Sequence, residues 1–197
     1  MPRPSQLHDQ RASLLPSVAA VFSQSGYRRA TTAQLAQRCG VQENILYRLW
    51  PDKKAMFLAA IEYVYDLSER TWLGLLSTKP TKGKGGAARL LAYESVHQGE
   101  FGHYRILFSG LGEVDDKEIR ATLANVFTRF HRFLHGQIAA QRRRPNALPA
   151  ELVAWALIGL GTVVNIGHEL DLLASAERKR LFADVGQLLL GEVGARA

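Results

Sequence analysis

Between Gln42 and Arg48 the chain sets a carboxylate, a carboxamide, a phenol and a guanidinium close together, as Glu43, Asn44, Tyr47 and Arg48. These groups match the edges of base pairs. An arginine fork fits guanine O6 and N7, an asparagine pairs bidentately with adenine, and a glutamate accepts from cytosine N4. Tyr47 suits a phosphate or a thymine methyl. A few residues on, Lys53 and Lys54 open a helix, where cations oppose the helix dipole. A local rule broken at a helix N-terminus suits a phosphate held by free N–H groups and ammonium; the plain alternative is two solvated lysines. Other chemistry is poorly provided for. His131 and His135 have the i, i+4 spacing of metal ligands but no third ligand nearby, so no metal is expected. The glycine-rich Lys79–Gly86 lacks the Gly-Lys-Ser/Thr ending and the preceding strand of a phosphate-binding loop. No nucleophile–base arrangement stands out, and neither catalysis nor a cofactor is expected.

Side chains read a groove only if one helix face presents them together. On a wheel starting at Val41, Ile45, Leu49, Leu46 and Trp50 fall within roughly 180°, and Glu43, Tyr47, Asn44 and Arg48 fill the other half. Pro51 ends this helix by pushing Trp50 out of helical conformation. The preceding helix opens with Thr31–Thr32–Ala33–Gln34, where Thr31 as N-cap and Gln34 at N3 fit a capping box. Gly40 supplies a left-handed turn after Cys39, which reads as a small buried hydrophobe. Two helices joined by Cys-Gly-Val, the second with two such faces, form a helix-turn-helix. A first helix carries Leu14, Val18, Val21 and Phe22 and stops at Gly26. Pro16 fits it if Ser13 is the N-cap; a start near Leu7 implies a kink.

Charge agrees with this placement. Residues 1–54 hold eight basic side chains against three acids, whereas the other residues hold 17 against 15. A basic segment on a near-neutral body suits a polyanion partner. The chain has 197 residues, 47% of them apolar and 22% charged, enough to bury a core. The single cysteine excludes a disulfide framework. No secretory h-region opens the chain, and the apolar run from Leu152 to Val164 is shorter than the roughly 20 residues of a membrane span. A cytosolic, non-membrane protein is expected.

Downstream the pattern is helical throughout. The helix that starts at Asp52 carries Met56, Phe57, Ala60, Ile61, Val64 and Leu67 to about Ser77, and further helices are expected at 87–98, 102–110, 116–141, 149–168 and 177–193. The arginines 142–144 with Pro145 suit a helix C-terminus. In the 149–168 helix, Leu152, Val153, Trp155, Leu157, Ile158, Leu160, Val163, Val164 and Ile166 leave no polar face, so its own domain covers one side and a partner the other, unless it is the core helix of a monomer. Leu181, Phe182, Val185, Leu188 and Leu189 form a companion stripe. One short recognition helix gives too little specificity, so two copies spaced by about one helical turn of DNA, ~34–36 Å, are expected. The predicted interface is a four-helix one, using Trp155, Ile158, Val163, Ile166, Phe182, Val185 and Leu189.

The stretch TTAQLAQRCGVQENILYRLWPDKKAMFLAAIEY, Thr31–Tyr63, resembles the TetR family of transcriptional regulators. The likeness lies in the Phe22…Gly26–Tyr27 end of the first helix, Thr-x-x-x-Leu-Ala in the second, Gly40–Val41, Leu46–Tyr47, Trp50 and Lys53. It implies an all-α homodimer with a three-helix DNA-binding domain over residues 1–51. A larger effector-binding and dimerisation domain would follow over 52–197. Gln42, Glu43, Asn44, Tyr47 and Arg48 correspond to the recognition helix; Thr32, Tyr47 and Lys53 correspond to phosphate contacts, flanked by Thr31 and Lys54. There are departures: Gln42 stands where a better cap is usual, Leu49 replaces a common His or Tyr, and Ala33 is too short to reach a base. These alter the operator and leave the fold.

The expected function is sequence-specific repression of a palindromic operator on double-stranded DNA, relieved by a small molecule. The candidate pocket gathers Trp72, Tyr93, His97, Phe101, Tyr104 and Phe108, any of which also suits a plain core. One alternative is an activator or adaptor of the same fold whose C-terminal domain binds a protein. Another is a helical enzyme in which the N-terminal helices are only structural.

Overall fold

A computed structural model describes residues 4–78, 85–99, 102–140 and 148–191; Phe101 and the arginines 142–144 lie outside them. Among the described residues the chain is all α, with nine helices and no strand. They are α1 (Pro4–Arg29), α2 (Thr32–Cys39), α3 (Glu43–Leu49), α4 (Lys53–Ser77), α5 (Gly86–His97), α6 (Tyr104–Leu111), α7 (Lys117–Ala139), α8 (Ala150–Glu169) and α9 (Ser175–Leu190). The last five match the expected helices to within three residues at each end.

Packing divides the chain into two units. The first comprises Met1–Ser68 with Phe101–Val126, the second Glu69–Glu100 with Phe127–Ala197, so α4 and α7 each contribute to both. The unit holding the N-terminal helices therefore extends past residue 51 and takes in α6 and the start of α7. Its core is built on Phe22, Leu35, Leu46, Met56, Phe57, Ile61, Ile106 and Ile119, all fully buried.

Helix α1 begins ahead of either expected start, at Pro4, and contains Pro16. Ser13 is not its cap; its hydroxyl donates to the Gln10 carbonyl at 2.8 Å. Pro16 and Ala12 are both exposed, so water can serve the carbonyl that proline leaves unpaired. The backbone breaks at Gly26 instead (φ 70°, ψ 172°). There a left-handed φ is required, and an added Cβ would lie 3.3 Å from Ser109 Oγ. The same hydroxyl accepts the Tyr27 N–H at 3.0 Å, fastening the end of α1 to α6.

The second unit centres on Leu91, Ile138, Val153, Ala154, Leu157, Val164 and Phe182, with Leu134, Leu160, Leu181 and Leu189 packed around them. α9 lies against both α5 and α8. Its contact with α5 is close at Gly186, where a Cβ would collide with the Leu91 methyls. Helix α8, 20 residues long with a mean hydropathy of 1.6 over its most apolar 18-residue window, is long and apolar enough to cross a bilayer. Val153, Ala154, Leu157 and Val164 nevertheless sit in this core, as in the central helix of a globular bundle.

Candidate nucleic-acid interface

The turn between α2 and α3 is fixed by local chemistry. Thr31, in extended conformation, caps α2: its Oγ1 accepts the Gln34 N–H at 3.2 Å, while Gln34 Oε1 accepts the Thr31 N–H at 3.0 Å. Gly40 takes the left-handed conformation (φ 66°) that ends the helix. The Val41 N–H then donates to the Ala36 carbonyl at 3.0 Å, turning the chain toward α3. Cys39 is half-buried and its thiol pKa is pushed up by desolvation, as suits an inert packing residue.

Helix α3 has the two faces expected of it. Leu46, Leu49 and Trp50 are buried, whereas Gln42, Glu43, Asn44, Tyr47 and Arg48 are exposed. Gln42 makes no side-chain cap bond. Tyr47 is 47% exposed, leaving a large aromatic ring outside the core beside three polar side chains. The C-terminal end of α3 is tied to α1, where the Arg11 guanidinium donates to the Leu49 carbonyl and lies 5.6 Å from the Trp50 ring centroid. Gln10 Oε1 accepts from Arg48 Nη2 at 3.0 Å, so a neutral partner holds the guanidinium at the surface.

The two lysines expected as phosphate anchors both have partners within the first unit. Lys53 Nζ donates to the Tyr27 and Ala30 carbonyls, each at 3.1 Å, and lies 4.8 Å from the Tyr27 ring centroid. It thereby closes the polar end of α1 as a C-terminal cation. Lys54 Nζ pairs with Asp116 at 3.3 Å and with Glu118. Hydrogen bonds to Glu118 and then Asp116 hold its pKa above the ordinary lysine value. Asp116 is itself held low, first by the Ile119 N–H and also by that of Glu118, because it caps α7. The opposed dipole at the start of α4 has a local answer: Asp52 Oδ1 accepts the Ala55 N–H at 2.7 Å and brings a negative charge to that terminus. Arg28 is likewise paired, its Nε 2.6 Å from Glu113 Oε1. Sequence reasoning missed Ser109, Glu113 and Asp116; the acidic run around Val114 was the signal available. Thr32 is partly exposed at the first turn of α2.

The aromatic candidates further along divide between the units. Tyr104 and Phe108 pack edge to face in the first, with centroids 5.6 Å apart. Trp72, Tyr93 and His97 belong to the second. Trp72 is buried, and its indole N–H donates to Glu94 Oε1 at 2.6 Å. Burial raises the Glu94 pKa; the Trp72 hydrogen bond and His97 act the other way. Glu94 went unnoticed, although with Ala87, Leu90 and Leu91 it falls at i, i+3, i+4, i+7 on an apolar stripe.

A raised native pKa means that the folded state holds this proton more tightly than the unfolded chain. The stabilisation it gives is complete below the unfolded value and is lost as pH rises through the native one. Glu94→Gln is therefore expected to gain on the wild type as pH rises. Thermal melts should place it level near pH 4 and a few degrees higher near pH 8, at about 2–4 °C per kcal/mol for a chain of this size.

Of the expected interface residues, Trp155, Val163 and Ile166 are exposed, at 45%, 53% and 41%, and Ile158 is partly so. Phe182 is not available. It is buried in the second unit's own core, and the companion stripe of α9 is exposed at Leu188 instead, with Val185 and Leu189 half-covered. His131 stacks on Trp155 at 4.7 Å and its Nε2 meets the Glu151 carbonyl at 3.1 Å. Among the described residues no three His, Cys, Asp or Glu side chains gather as a metal site.

Residues 17–60 match the family described as bacterial regulatory proteins, tetR family. The nucleoid occlusion factor SlmA of Idiomarina loihiensis is 43% identical over 61 residues, 31% of each chain. The chain thus spans about a third of that relative's length. SlmA of Salmonella paratyphi B is 30% identical over 158 residues, 75% of this chain and 79% of its own. A TetR-family transcriptional regulator from Cytophaga hutchinsonii shares the fold over 100% of both chains, with a TM-score of 0.77 at 16% identity.

Proposed function

Because the chain belongs to the TetR family of bacterial regulatory proteins, we propose that it acts as a homodimeric repressor, released from a palindromic operator when a small molecule binds. Membership makes it a helix-turn-helix, DNA-binding transcriptional regulator, and regulators of this family work by binding, not catalysis. The observation that carries the finer reading is the exposed polar face of α3 opposite an apolar one buried at Leu46 and Leu49. Arg48, Asn44 and Glu43 reach base edges, Gln42 borders them, and Tyr47, Thr31 and Thr32 meet phosphate. Residues 1–51 hold the DNA-reading elements. Residues 52–197 bind the effector and the second copy, and the protein works in the cytoplasm.

A gel shift with the DNA upstream of its own gene tests this. Arg48→Ala is expected to weaken binding about ten-fold or more per half-site, in line with ~1–3 kcal/mol for a bidentate base contact. No shift at low ionic strength, or a variant that binds like the wild type, overturns the assignment.

A second reading, an adaptor whose C-terminal helices bind a protein, is favoured by Leu170 and Leu172, which stand 64% and 67% exposed after α8. The SlmA relatives carry the name of nucleoid occlusion factors. Native mass spectrometry separates the two readings, since a co-purifying small molecule supports the repressor.

A further inference from the structure

Two neighbouring residues of α1 meet the last turn of α3. The Arg11 guanidinium donates to the Leu49 carbonyl and lies 5.6 Å from the Trp50 ring centroid, so it closes the C-terminal end of α3 and pins the two helices side by side. Gln10 precedes it, and its Oε1 accepts from Arg48 Nη2 at 3.0 Å. Gln10 is half-buried, whereas Arg48 is exposed on the polar face of α3. Among the described residues the partner of Arg48 is this neutral amide and no carboxylate, so the guanidinium is held without its charge being cancelled. An arginine on a helix surface otherwise samples many rotamers, and ordering it on binding lowers affinity.

We propose that Gln10 is a positioning residue for base reading, its carboxamide holding the Arg48 guanidinium ready for guanine O6 and N7. The proposal rests on the DNA-reading assignment of Arg48 and adds the residue that sets its aim. A guanidinium carries five N–H donors in a rigid fork, so one given to Gln10 leaves enough for a bidentate contact. A carboxylate in the same place would hold the fork as well, but would offset its charge and repel phosphate. Gln10 lies ahead of residues 17–60, the stretch matched to the family. Sequence choice in this chain therefore depends on a turn of α1 outside the shared helix-turn-helix.

Gel shifts of the full chain with the upstream DNA test the idea, each guanine being replaced in turn by 7-deazaguanine, which lacks the N7 acceptor. The base that Arg48 reads is the one at which the wild type loses affinity and Arg48→Ala does not. Gln10→Met keeps the length of the side chain and drops the acceptor. It is expected to weaken binding about three- to ten-fold per half-site and to narrow the discrimination at that base, while melting as the wild type does. Added to Arg48→Ala, it should change affinity by less than about two-fold, because the two side chains act as one unit. Gln10→Glu restores an acceptor and should recover the discrimination, although its charge lowers affinity overall. If Gln10→Met discriminates like the wild type, or weakens binding equally in the Arg48→Ala background, the proposal is overturned; the second result makes Gln10 a direct DNA contact. A wild type that shifts no DNA, or that reads no guanine through Arg48, removes the base-reading assignment and this role together. An inert Gln10→Met beside a wild type that does read the base removes the positioning role alone.

Discussion

Aspartate at both Trp155 and Val163 is expected to convert the protein to a monomer and to cut its affinity for a palindromic operator by roughly a thousand-fold, since each subunit then holds only one half-site. Leu152, Trp155, Val163 and Ile166 stand 56%, 45%, 53% and 41% exposed along one side of α8. Gly159 lies between them with open space where a Cβ would be, leaving room for a close helix crossing. An apolar stripe of this length seldom faces water in a monomer. Two copies would bury four carboxylates at the seam without partners, a cost of several kcal/mol each. The opposite side of α8 is untouched by these changes, so helicity and thermal cooperativity should survive. Sedimentation and a gel shift read the two effects separately. A double variant that still sediments as a dimer would place the seam elsewhere.

Phe57→Ala is expected to cost about 3–5 kcal/mol of stability, or ~6–20 °C of Tm in a chain of this length. Phe57 is wholly buried and touches two rings, Phe22 at 5.0 Å edge-on and Tyr27 at 4.8 Å. Tyr27 in turn carries Lys53 against its face and offers it the carbonyl it caps. Removing the central ring leaves a cavity under the Gly26–Ala30 corner, from which α2 departs. DNA binding should therefore weaken even at temperatures where the variant stays folded. Phe57→Leu, which refills most of the volume, should recover more than half of the loss in a thermal melt. Equal destabilisation by both substitutions would mean that ring contacts outweigh cavity volume here.

Much of the α2–turn–α3 segment was legible because its causes are local. Thr31 and Gln34 are three residues apart, Gly40 answers a backbone need, and the two faces of α3 follow from a 3.6-residue period. The partners of the two lysines were not legible, because they are distant in sequence. Nothing near Lys54 announces that Asp116 and Glu118 meet it, and the Ala30 carbonyl that holds Lys53 is a backbone group any residue would supply. In α9, Phe182 and Leu188 belong to one apolar stripe by periodicity, and only packing against α5 and α8 decides that the first is inside and the second outside. Glu94 shows the converse: its register marked it as buried, but only the tertiary partner Trp72 shows what it bonds.

Those internal pairings bear on how steeply binding responds to ionic strength. Each phosphate neutralised by a protein cation frees condensed counterions, with a logarithmic slope of about −0.9 per contact on duplex DNA. Counting the eight basic side chains of residues 1–54 on both subunits would give a slope of about −14. Arg11, Arg28, Arg29, Lys53 and Lys54 are already engaged by carbonyls and carboxylates, which leaves Arg38 and Arg48 outward among the described residues. Two per subunit give a slope of about −4. Hydrogen bonds to bases would then carry a larger share of the affinity than the charge count implies, and occupancy of the operator would hold up as cellular potassium rises.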